Sequence, residues 1–98
     1  MTVIWKFRLP ISRTPVIDMP DGAAIVHVGL DPEGTPSIWA IVDEAQPFTP
    51  RRFRVAMTGE PLIPDSPPGV SDTATARGAY LGTFVQGAIV AHVFAAVL

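Results

Sequence analysis

Three arginines lie close together near the middle of the chain, at Arg51, Arg52 and Arg54. A guanidinium group binds phosphate through two parallel hydrogen bonds. Side chains alternate between the two faces of a strand, so Arg52, Arg54 and Thr58 share one face and Arg51 points toward the core. Together with the flexible backbone amide of Gly59, that face predicts a pocket for a small phosphate-containing ligand. The alternative is an exposed strand face whose arginines maintain solubility and discourage edge pairing.

The aromatic and imidazole side chains are the next candidates. Trp5 and Trp39 could each stack on a nucleobase, an interaction that contributes about 1–3 kcal/mol per base. Both lie in apolar alternating segments, where a tryptophan more commonly belongs to a core or an interface. His27 and His92 lie mid-strand in apolar company and make an incomplete metal site. We therefore expect structural histidines and no bound metal.

Enzyme signatures are missing from the chain. It contains no Gly-rich phosphate loop, no G-x-S-x-G motif and no H-E-x-x-H motif. The absence of cysteine excludes disulfides, a thiolate nucleophile and Cys-based zinc sites. The carboxylate pairs Asp31/Glu33 and Asp43/Glu44 fall in turns, where solvated acids are usual. We expect no catalytic activity and no cofactor.

The elements that position these residues are predicted to be short strands. Period-two alternation of apolar and polar residues indicates half-buried strands. It is clearest where one face carries Val3, Trp5, Phe7 and Leu9, and it recurs over 23–30, 35–43 and 51–59. Turns are predicted at Pro20–Gly22 and Asp31–Gly34 because proline presets φ and glycine accepts a positive φ. The predicted fold is a mostly β, small antiparallel barrel or sandwich of about five to seven short strands.

Residues 1–98 are predicted to form one domain, since domains commonly span about 50 to 250 residues. Residues 60–78 hold four prolines and little periodicity, and they are predicted to form a long Pro-rich loop.

Residues 79–98 contain no Asp, Glu, Lys or Arg. The run is long enough to cross a bilayer, and a buried helix is a second alternative. Its β-branched residues and the Gln86-Gly87 pair favour a hairpin of two strands. The three alternatives remain open from the residues alone.

The overall charge narrows the range of partners. A net charge of −2 gives no bulk attraction to a nucleic acid polymer or to anionic lipid. Only 16% of the residues are charged, so we expect apolar surface to be covered in a homo-oligomer, a dimer or a multiple of it. The first ten residues lack a signal-peptide pattern, and a cytoplasmic location is expected.

Several segments together resemble a family of small uncharacterised proteins found mostly in phages and prophages. The matching pieces are VIWKFRL, VIDMPDGAAIVHV, PSIWAIVD, RRFRVAMTGEPL and YLGTFVQGAIVAHVF. The resemblance implies an all-β fold and a phage or prophage origin, hence the cytoplasm of a bacterial host. It implies no activity and no functional residues.

Two functional hypotheses follow. The first is a non-enzymatic binding protein that sequesters a small nucleotide-derived immune signal of the host, by analogy with small oligomeric phage proteins that do so. The second is a protein-interaction module that blocks or tethers a host or phage protein through an apolar face.

Overall fold

The computed structural model describes residues 1–60 and 77–95, which contain seven strands. They are β1 (Thr2–Arg8), β2 (Val16–Pro20), β3 (Ala24–Leu30), β4 (Pro36–Asp43), β5 (Phe48–Met57), β6 (Tyr80–Gln86) and β7 (Ile89–Ala95). All pairings are antiparallel, in a three-stranded sheet of order β1-β4-β3 and a four-stranded sheet of order β2-β5-β7-β6. The predicted small antiparallel fold is confirmed as a sandwich rather than a closed barrel. Most of the predicted loop, residues 61–76, lies outside the described residues.

The core fills the space between the two sheets. In β1 the predicted alternation is confirmed, because Val3, Trp5 and Phe7 are half-buried and pack against the core while their neighbours are exposed. The buried apolar residues come from both sheets and from the segments beside them: Leu9, Ile17, Met19, Ala23, Val28, Ile38, Ala40, Val42, Phe53, Phe84, Ala91 and Val93. Burial of these side chains is the main source of stability.

The uncharged end of the chain forms the predicted hairpin. β6 and β7 pair with Gln86 opposite Ile89, leaving a two-residue turn at Gly87 and Ala88. Gly87 has a φ of +59°, as the first central residue of a type II′ turn requires. None of the described segments forms a helix of sufficient length and apolarity to traverse a bilayer. Residues 96–98 lie outside the described part.

Two β-bulges interrupt the regular alternation. In β3 the register shifts between Ile25 and His27, which leaves Val26 as the extra residue. Strict alternation predicts Val26 and Val28 on one face; instead Val28 is buried and Val26 is 50% exposed. The second bulge, at Leu81 in β6, re-aims Tyr80 in the same way.

The two sheets approach closely where β6 packs against β3. A Cβ atom added at Gly82 would lie 2.9 Å from the Val28 Cβ, so only glycine fits there without a shift. At the nearby hairpin tip, Gln86 Nε2 donates a 2.8 Å hydrogen bond to the Gly34 carbonyl in the β3–β4 turn. These contacts hold β6 and β7, and therefore their outward side chains, in place.

A buried carboxylate organises the turn between β3 and β4. Asp31 Oδ1 accepts hydrogen bonds from the Glu33 and Thr35 N–H groups, both at 2.9 Å. Its Oδ2 accepts one from Lys6 Nζ at 2.9 Å. The Lys6 hydrogen bond, followed by the Thr35 N–H, lowers the pKa of Asp31 below its ordinary value of 3.8. Asp31 and Glu33 were both predicted to be solvated acids of this turn. For Asp31 the prediction is wrong, because its carboxylate is buried and accepts three hydrogen bonds.

Replacing Gly82 by alanine should destabilise the sandwich. The added methyl overpacks the contact with Val28, and overpacking of this kind costs about 1–3 kcal/mol in the free energy of unfolding. Gly78→Ala is the matched control, because nothing lies within 4 Å of a Cβ there. Its effect should stay within about 0.5 kcal/mol of zero or be slightly favourable. Urea unfolding of both variants makes the comparison; equal stabilities would show that the β3–β6 contact is looser than described.

The Asp31 carboxylate should make stability fall in acid. Its pKa is lower in the folded chain than in the unfolded chain, so its contribution is present above pH 3.8 and is lost as the pH falls toward the folded pKa. Asp31→Asn should flatten this loss between about pH 5 and about pH 2. Lys6→Gln removes only the Lys6 hydrogen bond, which is the largest cause of the lowered Asp31 pKa. The loss of stability with falling pH should then be intermediate between those of the wild type and Asp31→Asn. Thermal melts at each pH test this, and a wild-type slope in Asp31→Asn would be inconsistent with it.

Candidate functional site

The faces of β5 are those that the alternation predicts. Phe53 is 2% exposed in the core, which places Arg52 and Arg54 on the outer face of the four-stranded sheet, away from the opposite sheet. Thr58 follows the end of β5 on the same side. Arg51 points inward and its Nη1 donates a 2.8 Å hydrogen bond to the Ala23 carbonyl. The structure therefore brings the predicted outward residues onto one surface.

A continuous row of hydrogen bonds crosses this outer face. Thr58 Oγ1 lies 2.8 Å from His92 Nε2, and His92 Nδ1 lies 2.9 Å from Thr83 Oγ1. Thr83 Oγ1 lies in turn 2.5 Å from the Tyr80 hydroxyl. We call these four residues the hydroxyl row. It joins β6, β7 and the turn after β5 through a single imidazole ring.

Strand pairing explains why these side chains meet. His92 pairs with Thr83 on one side and with Ala56 on the other, and directly opposed residues share a face. Tyr80 and Thr83 are three residues apart and would face opposite sides of a regular strand. The bulge at Leu81 brings both onto the outer face. There the Tyr80 and Phe94 rings pack edge to face, with their centroids 5.5 Å apart.

The two outward arginines of β5 differ in how firmly their side chains are held. Arg54 Nη1 donates hydrogen bonds to the carbonyls of Arg13 and Val55, at 3.2 and 3.1 Å, which hold the guanidinium at the edge of β5 that faces residue 13. Phe94 of β7 pairs with Arg54 on the other side of the strand. The Arg52 side chain is exposed, and within the described ranges it makes no hydrogen bond or ion pair. Hydrogen-bond donors share this surface with the apolar side chains of Val16, Val85 and Phe94, and β2 adds the Asp18 carboxylate.

Gly59 lies in a tight turn directly after Thr58. Its φ is +91°, and the Glu60 N–H closes the turn onto the Met57 carbonyl at 2.9 Å. Glu60 Oε1 also accepts a 2.8 Å hydrogen bond from the Met57 N–H, and Oε2 pairs with Arg13 Nη2 at 3.1 Å. The turn is thus held at both ends, and it fixes the Thr58 hydroxyl and the Gly59 amide at one end of the row.

The two tryptophans do not join this surface. Trp5 lies on the inner side of β1, where its ring centroid is 6.4 Å from that of Phe7 and 6.2 Å from that of Phe48. Trp39 lies on the outer face of the three-stranded sheet, 5.4 Å from the His27 ring. Phe94 is instead the aromatic residue paired with Arg54, and Tyr80, which is 47% exposed, follows it on the next strand.

An apolar cleft of about 140 Å³ opens at one end of the sandwich, between the two sheets. Its walls include Leu9, Pro36, Val55, Phe84 and Ala91, and the Arg13–Glu60 pair lies at its mouth. The hydroxyl row lies on the other side of the four-stranded sheet. Within residues 1–60 and 77–95, three or more His, Asp or Glu side chains do not gather as a metal site requires.

Residues 1–97 match the family model of DUF7352, a domain of unknown function. The chain belongs to the DUF7352 family. Comparison of this DUF7352 chain with curated proteins and with solved structures gives no match. Membership of an uncharacterised family is thereby confirmed, while the phage or prophage setting stays a prediction.

Sequence reasoning missed three members of the hydroxyl row in this DUF7352 chain. The hairpin at Gly87 was enough to place Thr83 opposite His92, since each step back from the turn pairs one residue with one. That signal shows that His92 has a polar partner. No comparable signal identifies Tyr80, because the bulge that re-aims it depends on packing against the other sheet.

The row should fix the tautomer of His92. A phenol is a better hydrogen-bond donor than an aliphatic alcohol, so we expect Tyr80 to donate to Thr83 and Thr83 to donate to Nδ1. The neutral ring then carries its proton on Nε2, donates to Thr58, and leaves the Thr58 proton available to an incoming group. ¹⁵N chemical shifts of the His92 ring test this directly. A predominant Nδ1–H tautomer would show that the row runs in the opposite direction.

Thr83→Val provides the stability test of the same row. It removes two hydrogen bonds with little change of shape, and a cost of about 1 kcal/mol is expected at this partly exposed position. Thr14→Val is the control, because Thr14 is exposed and its hydroxyl makes no hydrogen bond within the described ranges.

Proposed function

We propose that this chain is a non-enzymatic binding protein that holds a small nucleotide-derived anion on the outer face of its four-stranded sheet. The observation that supports the proposal is that Arg52, Arg54 and Thr58 lie on the same outer face as the hydroxyl row. Guanidinium, hydroxyl and amide donors are the groups that bind phosphate in proteins. Binding through these donors makes and breaks no covalent bond, so the proposed function requires no catalytic group.

The spacing of the donors constrains the ligand. A strand rises about 3.3 Å per residue, so Arg54 and Arg52 lie about 13 Å and about 20 Å from Thr58. A single phosphate cannot reach both ends of this surface. The proposed ligand therefore carries two separated anionic groups, one near Arg52 and one near Thr58 and Gly59, with a base stacked on Tyr80 between them. Cyclic dinucleotides and ADP-ribose derivatives have this form.

The proposed biological role is stoichiometric sequestration. If the family occurs in phages and prophages, as the resemblance implies, the ligand would be a nucleotide-derived immune signal of the bacterial host. The protein would then act in the host cytoplasm, as a homo-oligomer, and bind no nucleic acid polymer. A protein without catalytic groups can still lower the free concentration of such a signal if its affinity and abundance suffice.

A second candidate function is that of a protein-interaction module. It is favoured by a different surface, the outer face of the three-stranded sheet, where Ile4, Val26 and Ile41 are 62%, 50% and 38% exposed. Contiguous exposed apolar patches commonly mark interaction sites. The two candidates use opposite sides of the sandwich, so experiments can separate them.

The first experiment asks whether the purified protein carries a ligand. Excess absorbance at 260 nm relative to 280 nm, followed by mass spectrometry of the material released on unfolding, would identify a co-purified nucleotide. Isothermal titration against cyclic dinucleotides and ADP-ribose derivatives follows with protein that has been unfolded, stripped and refolded. If nothing in the panel binds, the sequestration proposal fails and the interaction module is preferred.

Arg52→Ala should weaken binding roughly ten- to a hundredfold, since a hydrogen bond to a charged group contributes about 1.5–3 kcal/mol. Arg8→Ala is the matched control: it removes the same charge from an exposed strand position on the opposite sheet and should leave affinity unchanged. Arg54→Ala should also weaken binding, with some loss of stability because the Val55 and Arg13 carbonyls each lose one hydrogen bond, although the Val55 N–H still donates to Arg13. Arg51→Ala should reduce melting temperature more than affinity. Equal affinities for Arg52→Ala and Arg8→Ala would place the ligand elsewhere.

A further inference from the structure

The outer face of the three-stranded sheet is unusually apolar for a sandwich. Outward residues of such sheets are mostly polar. Here Ile4 pairs with Ile41, and Ile41 pairs with Ala24 on its other side, so an aliphatic row crosses all three strands. The bulge adds the half-exposed Val26 next to this row.

The neighbouring row continues the same flat surface. Trp39 lies between Lys6 and His27, and its ring is 5.4 Å from the imidazole. A Cβ atom at Gly29 would lie only 2.8 Å from His27 Nε2, so the imidazole lies along the strand above Gly29. Lys6 is drawn toward Asp31 by their 2.9 Å ion pair. The Trp39 ring therefore lies among side chains that are held close to the sheet.

Opposite charges mark the two ends of this face. Arg8 lies at one end, beside Ser37, and within the described ranges it makes no ion pair. Asp43 lies at the other end, where its Oδ1 is 3.7 Å from the N-terminal ammonium of Met1, and the exposed Glu44 follows it. Two carboxylates and one ammonium leave this end with one net negative charge. The Ala45 N–H lowers the pKa of Asp43, so this end remains anionic at neutral pH.

We propose that this face binds a second copy of the chain, through a two-fold axis that lies in the interface and runs across the strands. The outward residues of β4 run from Ser37 to Asp43, and both lie three residues from Ala40, whose side chain points into the core. The axis passes over the backbone at that position. Rotation about that axis reverses the strand direction, so it places Trp39 over the partner's Ile41. It also places Arg8 over the partner's Thr2, one strand away from the partner's Asp43 and Glu44, twice by symmetry.

The alternative axis, parallel to the strands, does not give this match. Rotation about it does not reverse the strand direction. Both Arg8 side chains then lie at one end of the interface, and Asp43 and Glu44 of both copies lie at the other. Like charges placed opposite each other are unfavourable. Charge complementarity therefore selects the crosswise axis.

The size of the face sets the expected strength of the dimer. Three strands of about seven residues cover roughly 14 by 23 Å, which is small beside the interfaces of stable dimers. The dimer should accordingly exchange with monomer at micromolar concentrations.

Sedimentation velocity over a concentration series tests the proposal. The wild-type mass should rise toward that of a dimer by about 100 µM, as expected for micromolar dissociation constants. Ile4→Asp places a carboxylate on the apolar row and should raise the dissociation constant at least tenfold. Val85→Asp is the control, because Val85 is 59% exposed on the four-stranded sheet, and it should dimerise like the wild type. Circular dichroism confirms that each variant is folded.

A charge-exchange pair tests the geometry itself. Arg8→Glu should weaken the dimer severalfold, and the double variant Arg8→Glu/Glu44→Arg should recover most of the loss. A wild-type chain that remains monomeric at about 100 µM would overturn the proposal. Loss of the dimer in Val85→Asp alone would also overturn it, as would absence of recovery in the double variant.

Discussion

The register of β5 is the constraint on which the rest of the structure depends. This strand pairs with β2 through its first half and with β7 through its second half, with Val16 opposite Arg52 and Met57 opposite Ala91. A slip of one residue would exchange its two faces. Phe53 would then leave the core, and two guanidinium groups would enter it without compensating charges, which is far costlier than losing a hydrogen bond. The same register therefore holds the core together and presents the outward arginines.

Local chemistry is what the sequence predicts well. The turn at Pro20–Gly22, the β3–β4 hairpin and the β6–β7 hairpin follow from proline and glycine at positions that need their backbone preferences. The faces of β5 follow because no bulge interrupts that strand. In each case the determining residues are neighbours in the chain, so the pattern needs no knowledge of distant contacts.

Long-range pairing and bulges are what the sequence leaves open. Alternation predicts that Trp5 and Trp39 each lie in a strand, but not which face each occupies. Trp5 faces the core and Trp39 faces outward because β1 and β4 pair with Trp5 opposite Ala40 and Lys6 opposite Trp39. The bulges at Val26 and Leu81 arise where β3 and β6 meet the opposite sheet, and period-two counting fails at both. The Tyr80 end of the hydroxyl row therefore appears only in the folded structure.

The two outer faces of the sandwich differ in chemistry. The four-stranded sheet presents arginine, threonine, histidine and tyrosine donors that a phosphate could use, and the hydroxyl row links four of these side chains across three elements. The three-stranded sheet presents isoleucine, valine and tryptophan, with opposite charges at its ends. One face is suited to a polar ligand and the other to an apolar partner. A dimer formed through the second would leave the first exposed on both copies.

Backbone amide shifts in a ¹H–¹⁵N correlation spectrum, followed while a binding cyclic dinucleotide is added, show which face of the sandwich holds the ligand. If the ligand binds on the hydroxyl row and its flanking arginines, the largest changes occur at Arg52, Thr58, Gly59, Thr83 and His92. Lys6 and Trp39, on the opposite sheet, then change little. Largest changes on the Trp39 face, or at the inter-sheet cleft around Phe84, would contradict this placement of the ligand.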